Sequence, residues 1–221
     1  MGSRRKMTHT QKDVVIGMIL GDAYLQKTGK QNARLRLEHS INQRAYLDWK
    51  VTILHNYFQS KVQTLTRVNT IWNKTYQYVR IQSMSSSDLG ELQRAFYKAS
   101  GKVVPENIAL YLRSPLSLAV WFMDDGYYYP RDRMAYIYIP NLDEESRERL
   151  LLALKTNFSL EPVLKQKKKG LVLIFNVSET QKLMKLIKKY ILPSMRYKIP
   201  LDPVSTDRKL DLNQASSEMV L

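Results

Sequence analysis

Apolar and polar positions alternate with periods that change along the 221-residue chain, and the changes recur in the same order in each half. Val14 to Leu20 forms an unbroken apolar run, with Thr10 ahead of it as a candidate N-cap, and reads as a buried helix ending in Gly21-Asp22. A short extended piece over 24–26 and a turn over 27–30 follow. Ala33, Leu35 and Leu37 then alternate with Arg34, Arg36 and Glu38, the period of a strand with one buried face and one basic, solvent-facing face. The pattern next predicts a helix over 42–58, strands over 62–68 and 76–82 around a polar loop, and a helix over 86–100.

The second half repeats this order. A helix over 115–124 leads to strands over 127–129 and 134–139, then a helix over 143–156. Strands over 162–167 and 171–177 flank a basic turn at 167–170, and a last helix covers 179–190. Each half thus reads αββαββα. The expected fold class is α+β: a tandem of two repeats, 7–104 and 115–203, packed through their first helices, with antiparallel sheets forming a saddle. The connector over 105–114 is short enough that the halves must pack together, and 204–221 is expected to be a loose tail.

Charge narrows the partner. There are 35 Lys+Arg against 20 Asp+Glu, a net charge of +15, which predicts a polyanion, nucleic acid first. No apolar run approaches the roughly 20 residues a membrane span needs. The start of the chain has no apolar core of a secretion signal, so the expected setting is an intracellular, DNA-containing compartment, an organelle matrix or prokaryotic cytoplasm. Absence of cysteine excludes disulfides, thiolate metal sites and cysteine nucleophiles. His9, His39 and His55 are too scattered along the chain to suggest zinc, so a metal would be a hard cation on carboxylate oxygens.

The first helix of each half carries the candidate chemistry. Val15–Ala23 and Leu118–Gly126 are uncharged runs that stop at an aspartate followed by a small residue: Asp22-Ala23 in one, Asp125-Gly126 in the other. A carboxylate ending a buried helix is costly unless it binds something. With the helices side by side, Gly17 and Gly21 would admit a close partner opposite, Trp121 or Phe122. The two aspartates then repel unless cations lie between them.

Both runs lie over the nine-residue signature of the LAGLIDADG homing endonucleases, and with the repeated topology the chain resembles the single-chain, two-motif members of that family to about Pro200. The resemblance implies a monomer with internal pseudo-twofold symmetry that cuts both strands of a specific double-stranded DNA site. Phosphodiester hydrolysis would use Mg²⁺, two or three ions, held between Asp22 and Asp125, with Gly21 and Asp124 adding ligands chiefly through backbone carbonyls. Lys102 and Lys198, each after the third helix of its repeat, correspond to the family's basic residues near the scissile phosphates. The stretch from His39 to Arg44 falls where the family places polar side chains that order the water shell, with Gln43 and Arg44 as the candidates; the second half offers Asn141, Glu144 and Glu145 there, so the two cutting sites are expected to differ.

The strands would read the DNA. The outward set expected in the first half is Gln26, Arg34, Arg36, Glu38, Arg67, Tyr78, Arg80 and Gln82, joined by Arg44; in the second half it is Arg131, Arg133, Lys165, Lys167 and Lys169. Strand phase in the second half stays open, because Tyr136, Tyr138 and 171–175 look apolar on both faces. No intein splicing blocks accompany the motifs, so a free-standing intron-encoded enzyme is expected. Two alternatives remain: a maturase that binds intron RNA and assists group I splicing, and a non-cutting DNA-binding protein. Retention of both aspartates favours cutting.

Overall fold

A computed structural model describes residues 6–99, 101–168 and 170–200. Lys169, the last positions of the second repeat and the tail lie outside the described residues. Helix α1 (His9–Leu20) starts two residues earlier than expected. Its N-cap is Thr8 rather than Thr10: the Thr8 hydroxyl accepts from the Gln11 amide and the Gln11 side chain accepts from the Thr8 amide. That reciprocal box satisfies two otherwise orphaned donors.

Strands β1 (Tyr24–Lys27) and β2 (Ala33–Ser40) lead into α2 (Arg44–Ile53), then β3 (Gln63–Asn69), β4 (Lys74–Gln82) and α3 (Ser87–Phe96). Helix α2 is not one helix over 42–58. Single 3-10 turns flank it at Ile41–Gln43 and His55–Tyr57, the first capped by the Ser40 hydroxyl. Helix α3 likewise stops before residue 100, because the chain doubles back in a small hairpin, β5 (Tyr97–Lys98) with β6 (Gly101–Lys102). Gly101 takes φ +115°, a value that favours glycine, and this reversal returns Lys102 toward the end of α1.

The connector carries a short helix, α4 (Ile108–Tyr111), packed on α6. The second repeat is α5 (Pro115–Asp125), β7 (Gly126–Tyr129), β8 (Met134–Ile139), α6 (Glu144–Phe158), β9 (Val163–Lys167), β10 (Gly170–Phe175) and α7 (Val177–Ile187). The two sheets are antiparallel with matching orders, β1-β2-β4-β3 and β7-β8-β10-β9. One apolar cluster runs through both repeats and the connector, and its centre is the α1–α5 contact.

Candidate metal centre and nucleic-acid face

Small residues set how closely α1 and α5 approach. A Cβ on Gly17 would fall 2.7 Å from Val120 Cβ and nearer still to the Ser117 carbonyl oxygen; one on Gly21 would fall 2.5 Å from Asp124 Cβ. The glycines therefore face Ser117, Val120 and Asp124, not Trp121 or Phe122 as the sequence suggested. The Phe122 ring packs instead beneath Gly126, and Trp121 is fully buried. Gly21 and Asp124 both precede a motif aspartate, so equivalent positions of the two repeats touch each other where the helices cross.

That crossing brings Asp22 and Asp125 to one acidic centre. Burial, then the charges of Asp22 and Asp124, pushes the Asp125 carboxyl up to about 8. Partial burial and Asp124 raise Asp22 as well, against the pull of Lys50, Lys198 and Lys102. Two carboxylates that resist ionising together are a place where a cation is favoured. The Lys102 ammonium donates to the Gly21 carbonyl at 3.0 Å. Lys198 donates to the Asp124 carbonyl at 2.7 Å and to the Met123 carbonyl at 2.6 Å. Both lysines thus make the same contact in their own repeats, on the carbonyl just before the motif aspartate. Burial lowers both ammonium pKa values despite the attraction of the three aspartates.

Carboxylate and carbonyl oxygens are the donors a hard divalent cation prefers, so Asp22, Asp125 and the carbonyls of Gly21 and Asp124 suit Mg²⁺. An ion using those carbonyls would share them with Lys102 and Lys198. The Asp124 carboxylate is not part of that donor set: its side chain is fully buried and pairs with Lys50 Nζ at 2.7 Å.

Lys50 is a residue that the sequence reading missed, and His39, within the stretch expected to order water, was not itself singled out. Lys50 Nζ also lies 2.9 Å from His39 Nε2 and 4.1 Å from the centroid of the Tyr46 ring. An ammonium has only protons to give, so His39 Nε2 accepts and its proton sits on Nδ1, which faces Asp22 Oδ2 at 3.9 Å. Burial first, then Lys50, lowers the His39 pKa to about 4, so the ring is neutral at pH 7. The histidine dismissed as scattered is therefore beside the acidic centre; one ligand atom each from Asp22, His39 and Asp124 lie within 4.8 Å of one another. A signal for Lys50 was present, since it follows Tyr46 and Leu47 at helical spacing on the buried face of α2.

Gln43 hydrogen-bonds His39 and donates to the Tyr197 hydroxyl at 2.9 Å, which joins the first repeat to the last turn of the second. Arg44 lies on the outer side of α2 and is held by Asp48, 3.0 Å away, rather than directed at the centre.

On the first sheet, Ala33, Leu35, Leu37, Val79 and Ile81 are buried, while Arg34, Arg36, Glu38, Tyr78, Arg80 and Gln82 lie on the open face, as the alternation predicted. Registers pair Gln26 with Arg34 and Arg67 with Tyr76. Glu38 is clamped between Arg67 and Arg80, at 2.7 and 2.6 Å. The Arg80 and Arg67 hydrogen bonds outweigh its burial and hold its carboxyl below the ordinary range.

The second sheet resolves the open phase. Ala135, Ile137, Ile139, Leu171, Leu173 and Phe175 face the core. The other face carries Tyr127, Tyr136 and Tyr138, with Tyr127 stacked on Tyr136 at 5.0 Å between ring centroids. Lys167 Nζ covers Tyr136 at 4.5 Å, and Lys165 is exposed on β9. Arg131 and Arg133 stand in the β7–β8 turn, Arg133 at φ +53°.

A family model for the LAGLIDADG DNA endonuclease family matches residues 12–183. The chain belongs to that family. A relative named Protein RecA from Mycolicibacterium flavescens is 32% identical over 209 residues, covering 88% of this chain and 47% of that protein. The chain thus spans about half the length of such relatives. A probable intron-encoded endonuclease 1 from Wickerhamomyces canadensis is 26% identical, with 87% and 85% covered. The cytochrome b mRNA maturase bI2 of Debaryomyces hansenii is 27% identical, with 85% and 72% covered. Among solved structures, the homing endonuclease I-WcaI bound to its DNA recognition sequence shares the fold, with TM-score 0.81, 24% identity, and 90% of this chain and 89% of that one covered. The α+β tandem that this LAGLIDADG chain adopts is therefore that of a solved homing endonuclease. Among the described residues, no helix is long and apolar enough to cross a membrane.

Proposed function

We propose that the chain is a site-specific, Mg²⁺-dependent double-strand DNA endonuclease acting as a single chain. One observation carries the reading: two motif aspartates meet at adjacent helix ends, each with a lysine on the preceding carbonyl. When bound between Asp22 and Asp125, the divalent ion would supply charge neutralisation and an activated water for phosphodiester hydrolysis. The residues' own roles follow from placement. Asp22 and Asp125 offer carboxylate oxygens whose joint ionisation a bound cation would favour. Lys102 and Lys198 place ammonium groups beside the reacting phosphates, where charge develops on oxygen. Gln43, bonded to His39 and Tyr197, orders the polar rim of the centre. The arginines and glutamines of the first sheet, with Lys165, Lys167 and the turn arginines of the second, lie along the DNA.

The test incubates the protein with a random-site duplex library, with and without Mg²⁺. Discrete double-strand cuts that need the ion and disappear in Asp22→Asn and Asp125→Asn support the reading; cuts that survive the double substitution refute the two-carboxylate mechanism. The likeness to a maturase favours a second reading, in which intron RNA is bound and splicing assisted. Splicing of a group I intron that persists in the double Asn variant, with no DNA cleavage by the parent protein, would select it.

A further inference from the structure

The two halves of the acidic centre are supported differently. Asp22 is held at two points. Its backbone amide donates to Asp124 Oδ2 at 3.3 Å, and its carboxylate faces His39 Nδ1. Both holding groups meet at one ammonium, because Lys50 Nζ bonds Asp124 Oδ1 and His39 Nε2. Tyr46 closes the network: its ring lies under that ammonium and its hydroxyl donates to the Val120 carbonyl of α5 at 3.1 Å.

Among the described residues no such buried ion-paired network stands behind Asp125, on which Lys102 and Lys198 act. Register gives the equivalences: Tyr24 pairs with Arg36 and Tyr127 with Tyr136, so His39 corresponds to Ile139. The N-caps Gln43 and Asp143 align α2 with α6, so Lys50 corresponds to Leu150. The counterpart of Asp124 is Gly21. An ion-paired trio in one half thus answers to glycine, isoleucine and leucine in the other. There the space is lined by Ile139, Leu150, Leu20 and Trp121, together with Lys102.

We infer that Lys50 is a positioning residue for the first motif's carboxylate alone, fixing Asp22 through Asp124 and His39, so that its loss uncouples the two strand cuts. The inference rests on the proposed endonuclease reading. Lys50 touches neither DNA nor metal. It acts by setting the Gly21–Asp22 peptide and the rotamer of Asp22, and groups that orient a ligand carboxylate govern rate by about ten- to a hundredfold.

The experiment uses the full chain with Lys50→Met, and Lys50→Met with Asp124→Asn, which removes both charges and leaves no lone buried carboxylate. Substrate is a supercoiled plasmid carrying a site recovered from the library, with Mg²⁺, read as nicked and linear product with each nick assigned to its strand. Both variants should accumulate nicked circles, the ratio of the two strand rates shifting by about tenfold or more. Equal slowing of both strands overturns the inference, because a general loss of structure does not choose a strand. A second readout needs no cleavage: in DNA-free, metal-free protein labelled with ¹⁵N, the Asp22 amide resonance should move in Lys50→Met, which leaves both neighbours of Asp125 unchanged, while Asp125 stays. Joint movement, or none, overturns the inference too. A parent protein that cuts neither strand fails the endonuclease reading instead, and the amide resonances still decide the role of Lys50.

Discussion

Replacing Gly17 with alanine tests whether the α1–α5 contact is set by backbone approach. The added methyl would lie 2.7 Å from Val120 Cβ, where ordinary contact begins near 3.4 Å, and closer again to the Ser117 carbonyl. Since that nearest atom is backbone, no rotamer relieves the clash, and the helices must separate by the better part of an ångström. A gap of 0.5–1 Å forfeits about a quarter to a half of each lost contact. Val14, Val15, Met18, Leu118 and Trp121 are all fully buried in this region. Overpacking of this kind costs about 1–3 kcal/mol, and the better helix propensity of alanine returns about 1 kcal/mol. The net loss of up to about 2 kcal/mol should lower Tm by up to roughly 8 °C in a domain of this size. Thermal unfolding followed by circular dichroism measures it. Gly29→Ala is the control: no atom lies within 4 Å of its added methyl, so it should be neutral or slightly stabilising. Adding Val120→Ala to Gly17→Ala should not restore stability, since the carbonyl clash remains. A Gly17→Ala protein that melts at or above the parent refutes the reasoning.

Other outcomes follow from the same geometry. Ser117 has a buried hydroxyl with no partner, so Ser117→Ala should raise stability by about 1 kcal/mol, seen as a higher Tm. Lys102→Met and Lys198→Met should each slow cleavage by about a hundredfold, with DNA affinity measured in Ca²⁺ unchanged; unchanged cleavage rates would remove these lysines from the chemistry. Glu38 has a folded pKa below its unfolded one, so its contribution is present at neutral pH and lost as pH falls through the folded value. The clamp is partly exposed, and the effect is under about 1 kcal/mol. Glu38→Gln should therefore lose slightly less stability than the parent between about pH 5 and 3 in denaturant titrations.

Much of this fold is written locally. The alternation through β2 placed its arginines on the open face, and the apolar runs ending at Asp22 and Asp125 marked the two central helices. Where signals were short-range but competing, boundaries moved. Thr8 rather than Thr10 caps α1, in a reciprocal box with Gln11, and Gly101 turned the end of α3 into a hairpin. The second sheet resisted because both of its faces are apolar, so a period of two has nothing to contrast. Lys50, His39 and Asp124 were harder for another reason: their partnership spans a strand, a helix and the opposite repeat. Sequence shows a lysine on a buried helix face, but its counter-charge lies in the other half of the chain.

The Gly21–Asp124 contact has a further consequence for how the two repeats recognise each other. Pair the first repeat with a copy of itself, and two glycines would leave a gap at the crossing, with two Lys50 ammoniums buried and unanswered. Pair the second with itself, and two Asp124 carboxylates would collide with no Lys50 beside them. Only the mixed pairing fills the space and balances the charge. Duplicated halves have thus become unlike partners: expressed as separate polypeptides, they should seek each other and reject themselves.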